Sequence, residues 1–158
     1  MAFKLRSPVR KDGEVHALNV RFDLDVCSPG LDACFVPADA CFTVMDDGLI
    51  QDWGDRFVWC NPPYGPATSV WMGRMDAHRN GIALVFARTD TDWFQLCRPD
   101  VVVFIDGRVH FYQGGTSQAC RKGTPGAGSM LLGWGERARE ALAACGLGVL
   151  MAPVGAQP

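Results

Sequence analysis

The stretch Arg56-Phe57-Val58-Trp59-Cys60-Asn61-Pro62-Pro63-Tyr64-Gly65 is a short apolar strand that runs directly into a proline-stiffened glycine turn. In α/β proteins a strand end of this kind is where ligands are held. Pro62 and Pro63 fix φ and have no N–H, so they hold the turn rigid and leave their carbonyl oxygens able to accept from a ligand. Asn61 adds a side-chain acceptor beside them. Its amide oxygen and the Pro62 carbonyl can together take both hydrogens of an –NH₂ group, while the Tyr64 ring offers a flat face on which a base can stack. The stretch predicts a site for an exocyclic amine.

Outward from this turn, β and α segments alternate. Residues 20–26 and 57–60 predict strands, with a shorter one at 42–45 between them. Beyond Gly65-Pro66, residues 67–79 set Val70, Trp71, Met75 and the stem of Arg74 near one side, the mark of an amphipathic helix, which Gly81 ends. The apolar run 82–86 predicts a strand covered on both faces. A short helix capped by Asp90 or Thr91 reaches Cys97 and is stopped by Pro99. Residues 101–105 and 109–112 predict two strands around Asp106-Gly107, a dipeptide that favours a tight hairpin. A strand at 130–134, a helix at 136–144 and a final strand at 149–151 complete the pattern.

Such alternation predicts one α/β domain over residues 1–158, with a mostly parallel sheet, helices on its faces and an antiparallel edge hairpin. Ligands would bind at the carboxyl ends of its strands, where Asp25 and Asn61 both fall. Residues 113–128 carry five glycines with Arg121 and Lys122, and they read either as a plain connector or as a flap that contacts DNA.

With hydrophobic residues at 48% and charged residues at 20% of 158, the chain can bury a single core. No apolar run approaches the roughly 20 residues needed to span a bilayer, and the basic start is not followed by an apolar signal segment, so no membrane partner and no export are expected. The seven cysteines (27, 34, 41, 60, 97, 120 and 145) form no C-x-x-C, and neither His16 nor His110 sits at ligand spacing. Reduced, packed cysteines are expected, and no metal. Charge is uneven: residues 1–21 carry +3, residues 22–58 carry −7 and residues 59–158 carry +2. The acidic segment suits a ligand bearing a cation and hydroxyls and the basic remainder suits phosphates, or the aspartates simply solvate loops.

Asn61-Pro62-Pro63-Tyr64 at a strand end resembles the catalytic motif of the amino methyltransferases that use S-adenosylmethionine. The wider pattern is similar to the phage-type DNA N-6-adenine methyltransferases of the Dam family. Its pieces are Phe22-Asp23-Leu24-Asp25-Val26, Asp46-Asp47-Gly48-Leu49 with Trp53, the strand and turn at 58–64, residues 87–94, and Gly107-Arg108-Val109-His110-Phe111. They run in family order from about residue 20 to 134. Residues 1–20 lack the family's Trp/Thr-Pro element, and Cys27-Ser28-Pro29-Gly30 lacks a full Gly-x-Gly.

The resemblance implies a Rossmann-like methyltransferase fold, trimmed because the 35 residues between Asp25 and Asn61 leave no room for two long helices. It implies S-adenosylmethionine as cofactor, held by Asp25, with Asp47 facing the cofactor's adenine and Asp23 a weaker candidate. Asp25 and Asp47 have turn forming as their alternative reading. Arg88 and Trp93 can contact a phosphate and stack a base, or Trp93 packs as core while Asp90 caps a helix. Arg108 would reach DNA or solvate an edge strand, and Trp53, Trp59, Trp71 and Trp134 are most simply core.

The activity implied is methylation of adenine N6 in double-stranded DNA. The base would be flipped, its amine held by Asn61 and the Pro62 carbonyl and its ring stacked on Tyr64, with Pro63 stiffening the turn and Cys60 structural. A monomer in the cytoplasm of a bacterial host, encoded by a phage or prophage, is expected. N4 of cytosine and the amide of a protein glutamine stay open as acceptors, as does a relative that binds DNA without turnover.

Overall fold

Alternating apolar runs assemble into a seven-stranded sheet with helices on both faces in the computed structural model, which describes residues 2–4, 18–31, 36–112 and 126–152. In chain order the elements are β1 (Ala2–Lys4), β2 (Phe22–Asp25), β3 (Ala38–Cys41), β4 (Val58–Cys60), α1 (Thr68–His78) and β5 (Gly81–Phe86). There follow α2 (Asp92–Leu96), β6 (Val101–Ile105), β7 (His110–Tyr112), β8 (Ser129–Trp134), α3 (Glu136–Ala144) and β9 (Gly148–Met151). The sheet order is β3-β2-β4-β5-β8-β6-β9, and β1 pairs separately with β7. No helix among the described residues is long and apolar enough to cross a membrane.

Period-two alternation explains why β5 and β8 lie in the middle. Ile82 and Leu84 of β5 join Phe22, Phe57, Trp59 and Leu131 under Ala138, Ala141 and Leu142 of α3. Ala83 and Val85 face the other way, with Leu24, Val58 and Leu132, under Trp71, Met72 and Met75 of α1. Each fully buried large side chain of this kind contributes about 1.5–3 kcal/mol. Helix α3 lies so close to the sheet that a Cβ on Gly133 would fall 2.7 Å from Leu142 Cδ1 and 2.8 Å from Val101 Cγ1.

Two sequence expectations are corrected. Asp106-Gly107 closes no hairpin: β6 pairs antiparallel with β8 and β9, and β7 pairs with β1. Val102 packs on one face of the sheet while Val101 and Val103 pack on the other, so β6 is stabilised most where neighbouring strands and both helix layers cover it. The sheet therefore has three parallel pairings, β3–β2–β4–β5, and three antiparallel ones, β5–β8–β6–β9, where a mostly parallel sheet with an antiparallel edge hairpin was expected.

The strand expected at 42–45 is the second correction. The strand lies at Ala38–Cys41 instead, and residues 43–46 form a turn. The backbone N–H and the hydroxyl of Thr43 both donate to Asp46 Oδ2 at 2.7 Å, and Asp46 N donates back to Thr43 O at 3.0 Å. Three local bonds close the turn where β-branched residues alone suggest a strand.

Candidate active site

Because β3, β2, β4 and β5 are parallel, the four segments that follow them emerge on one edge of the sheet. The chain passes from β2 to β3 on one side, then returns past β2 to β4, so the order reverses between β2 and β4. Open α/β sheets form their ligand crevice at such a reversal. Here the walls are Val26, Cys27 and Ser28 after β2, Thr43, Val44 and Asp47 to Leu49 after β3, and Asn61 to Tyr64 after β4.

The turn after β4 is built as its sequence suggests. Asn61 is buried and Pro63 exposed, and no hydrogen bond among the described residues takes the Pro62 carbonyl oxygen. Tyr64 lies flat on Phe86, ring centroids 4.0 Å apart at 21°, and its hydroxyl donates to Asn61 Oδ1 at 3.0 Å. The ring position and the amide orientation are thereby coupled. Gly65 takes φ +131°, and its N–H donates to Thr68 Oγ1 at 3.3 Å, which ties the turn to the first residue of α1. Burial first, then the neighbouring Cys60, pushes the Tyr64 phenol up, so it remains a neutral donor at physiological pH. Burial likewise raises the Cys60 thiol, helped by its hydrogen bond with Cys27. A thiol held neutral in this way is a poor nucleophile.

Two clefts meet at Tyr64. The first, about 750 Å³, has Asp47, Gly48, Leu49, Asn61, Pro62 and Trp71 in its walls. The second, about 670 Å³, is bounded by Tyr64, Thr68, Phe86, Arg88, Thr91 and Trp93. Asp47 adopts φ +52°, uncommon outside glycine, and its Oδ1 accepts from Leu49 N at 3.2 Å. Arg88 is exposed at the rim of the second cleft, and Trp93 packs edge-on against Phe94 with centroids 6.0 Å apart.

Asn61, Pro62, Pro63, Tyr64 and Asp47 thus come together at the first cleft, and Tyr64, Arg88 and Trp93 at the second. Asp25, expected to hold the cofactor, is 2% exposed and does not line the first cleft; its Oδ1 accepts from Cys27 N at 3.1 Å and anchors the loop after β2. Asp23 stands apart, its Oδ2 accepting from Phe57 N at 2.7 Å and its Oδ1 lying 3.4 Å from Arg137 of α3. Arg108 is exposed and borders neither cleft. Arg121 and Lys122 lie outside the described residues.

Sequence reasoning missed Ser28, Thr43, Leu49 and Trp71 in the first cleft and Thr68, Phe86 and Thr91 in the second. Trp71 is buried, as read, yet it also forms cleft wall. Phe86, the last residue of a buried strand, had one usable signal, its place at the same sheet edge as Asn61.

An α/β sheet with a crevice at its parallel edge, and an Asn-Pro-Pro-Tyr turn between two clefts, has the architecture in which open α/β proteins hold ligands. The family model described as DNA N-6-adenine-methyltransferase (Dam) matches residues 14–144, and the chain belongs to that family. It is 24% identical over 107 residues to a protein named DNA N-6-adenine-methyltransferase from Haemophilus phage HP1 (strain HP1c1), a match covering 63% of this chain and 60% of that relative. The chain therefore spans less than two thirds of the length of the curated relative it matches. No solved structure matches it.

Proposed function

We propose that this chain transfers a methyl group from S-adenosylmethionine to N6 of an adenine flipped out of double-stranded DNA. One observation carries the reading: the Asn61-Pro62-Pro63-Tyr64 turn stands between two clefts, so a donor in one and an acceptor in the other would meet at it. Family membership supports the same reaction. The frame would be a trimmed Rossmann-like methyltransferase domain acting as a monomer in the bacterial cytoplasm, phage- or prophage-encoded.

The first cleft suits the cofactor. Its volume lies within the usual range for small-molecule sites, and it pairs the Asp47 carboxylate with the apolar surfaces of Val26, Leu49 and Trp71. Asp25 would hold the loop after β2 in place for the amino-acid end, with Asp23 a remoter contributor. Bound there, S-adenosylmethionine supplies an electrophilic methyl group.

The residues of the chain do the rest. Asn61 Oδ1 and the Pro62 carbonyl accept the two amine hydrogens, which localises the nitrogen lone pair and aims it at the first cleft. Tyr64, backed by Phe86, gives the base a fixed surface. Positioning of this kind supplies most of the rate, and no covalent intermediate on Cys60 is required. Arg88 and Trp93 at the second cleft, with Arg108, Arg121 and Lys122, would contact the DNA.

The test is to incubate the protein with S-adenosylmethionine and duplex DNA, digest the DNA to nucleosides and weigh them by mass spectrometry. N6-methyl-2′-deoxyadenosine is the expected product. Methylated cytosine would move the acceptor, and unmodified DNA would overturn the proposal.

A further inference from the structure

The wall of the first cleft opposite the Asn61 turn is held more tightly than a solvated loop requires. Trp53 Nε1 donates to Gly48 O at 2.8 Å, and Trp53 stacks near-parallel on Trp71 with centroids 6.3 Å apart at 16°. The Arg74 guanidinium lies over the Trp53 ring, 4.5 Å from its centroid. Gly48 fits because it lacks a side chain: a Cβ there would sit 2.3 Å from Val26 O and 3.1 Å from Trp71 Cη2. Asp47 is thereby held in a strained backbone conformation beside Trp71, with Oδ1 engaged by Leu49 N and Oδ2 without a hydrogen-bond partner among the described residues.

Trp71 itself is 7% exposed. Of the three buried indoles at this helix, those of Trp53 and Trp134 donate, to Gly48 O and to Asp76 Oδ1 respectively. The Trp71 N–H donates to nothing among the described residues, yet it is not sealed in, since the sealed, unpartnered polar side-chain atom there is Arg74 Nε. The indole also forms part of the cleft wall. A buried tryptophan ordinarily finds a partner for its N–H. Here the partner would come from a ligand.

We propose that the Trp71 indole N–H faces the first cleft and, beside the Asp47 carboxylate that the family resemblance already sets against the exocyclic amine of the cofactor's adenine, donates to the neighbouring ring nitrogen. An adenine edge presents that donor next to that acceptor, whereas guanine places an acceptor where adenine has its amine. Trp71 is then a cofactor-binding and specificity-determining residue, an assignment that rests on the cofactor reading of the first cleft.

Calorimetry with S-adenosylhomocysteine and its 1-deaza and 7-deaza analogues tests this on the wild-type protein, where folding is not in question. One of the two analogues is expected to bind about three- to tenfold more weakly than the parent, and the other like the parent. Trp71→Phe, checked by thermal unfolding, is expected to lose the same factor for the parent and to stop distinguishing the analogues. Wild type that binds both analogues like the parent overturns the inference, as does Trp71→Phe with full discrimination. Wild type that binds no S-adenosylhomocysteine at all overturns the cofactor reading and this inference with it.

Discussion

The parallel half of the sheet, β3-β2-β4-β5, and the antiparallel half, β8-β6-β9, both have buried inner strands and exposed or half-buried edge strands, yet most described residues of both clefts belong to the first. Among the described residues, only Gly126 and Ala127, just before β8, come from the second. The difference follows from strand direction. Parallel strands deliver every carboxyl end to one edge, so three or four short segments converge there, whereas antiparallel neighbours send alternate ends to opposite edges. The antiparallel half supplies area instead: Leu131, Leu132, Val101, Val102 and Val103 are each no more than 5% exposed. One half gathers polar groups and the other holds the frame against which they are fixed.

The sharpest way to break this contrast is Asn61→Ala. Turnover should fall about 10³-fold, comparable to losing one preorganised polar group at a reacting centre, while thermal stability and S-adenosylhomocysteine affinity stay near wild type. Turnover within a few-fold of wild type would show that the parallel edge is not where transfer occurs. Leu131→Ala, at a fully buried position of β8, probes the other half. Denaturant titration should show about 3 kcal/mol less stability, with cofactor affinity per folded molecule unchanged.

Smaller effects sharpen the picture within the parallel half. Asp25→Ala removes the carboxylate that anchors Cys27 N, and should weaken cofactor binding by about 2 kcal/mol. Calorimetry that finds unchanged affinity would confine Asp25 to the turn. The least effect is expected for Arg88→Ala at the rim of the second cleft: DNA affinity falls modestly, and the slope of log affinity against log salt shrinks by about one. An unaltered slope would move the phosphate contacts elsewhere.

Much of this was legible from local pattern. The strand-turn at 58–64, the helix beginning at Thr68 and the buried run ending at Phe86 all follow from short-range periodicity and proline chemistry. The hairpin expected at Asp106-Gly107 failed because a turn-favouring dipeptide says nothing about competing partners, and β6 pairs with β8 and β9 while β7 pairs with β1. The strand expected at 42–45 failed because Thr43 and Asp46 satisfy one another at short range. Trp71 read as core, and it is buried, but nothing in its sequence neighbours marks a side chain that also forms cleft wall.

By itself the sequence determined the Asn-Pro-Pro-Tyr turn, its place at a strand end and the α/β alternation around it, because backbone restriction and side-chain period act over a few residues. Only the tertiary structure decided that Tyr64 rests on Phe86, that Asp47 and Trp71 line the same cleft as Asn61, and that half the sheet runs antiparallel. Those arrangements join residues far apart in the chain. Which of them forms depends on how much apolar surface each alternative pairing buries, a quantity that belongs to the whole fold.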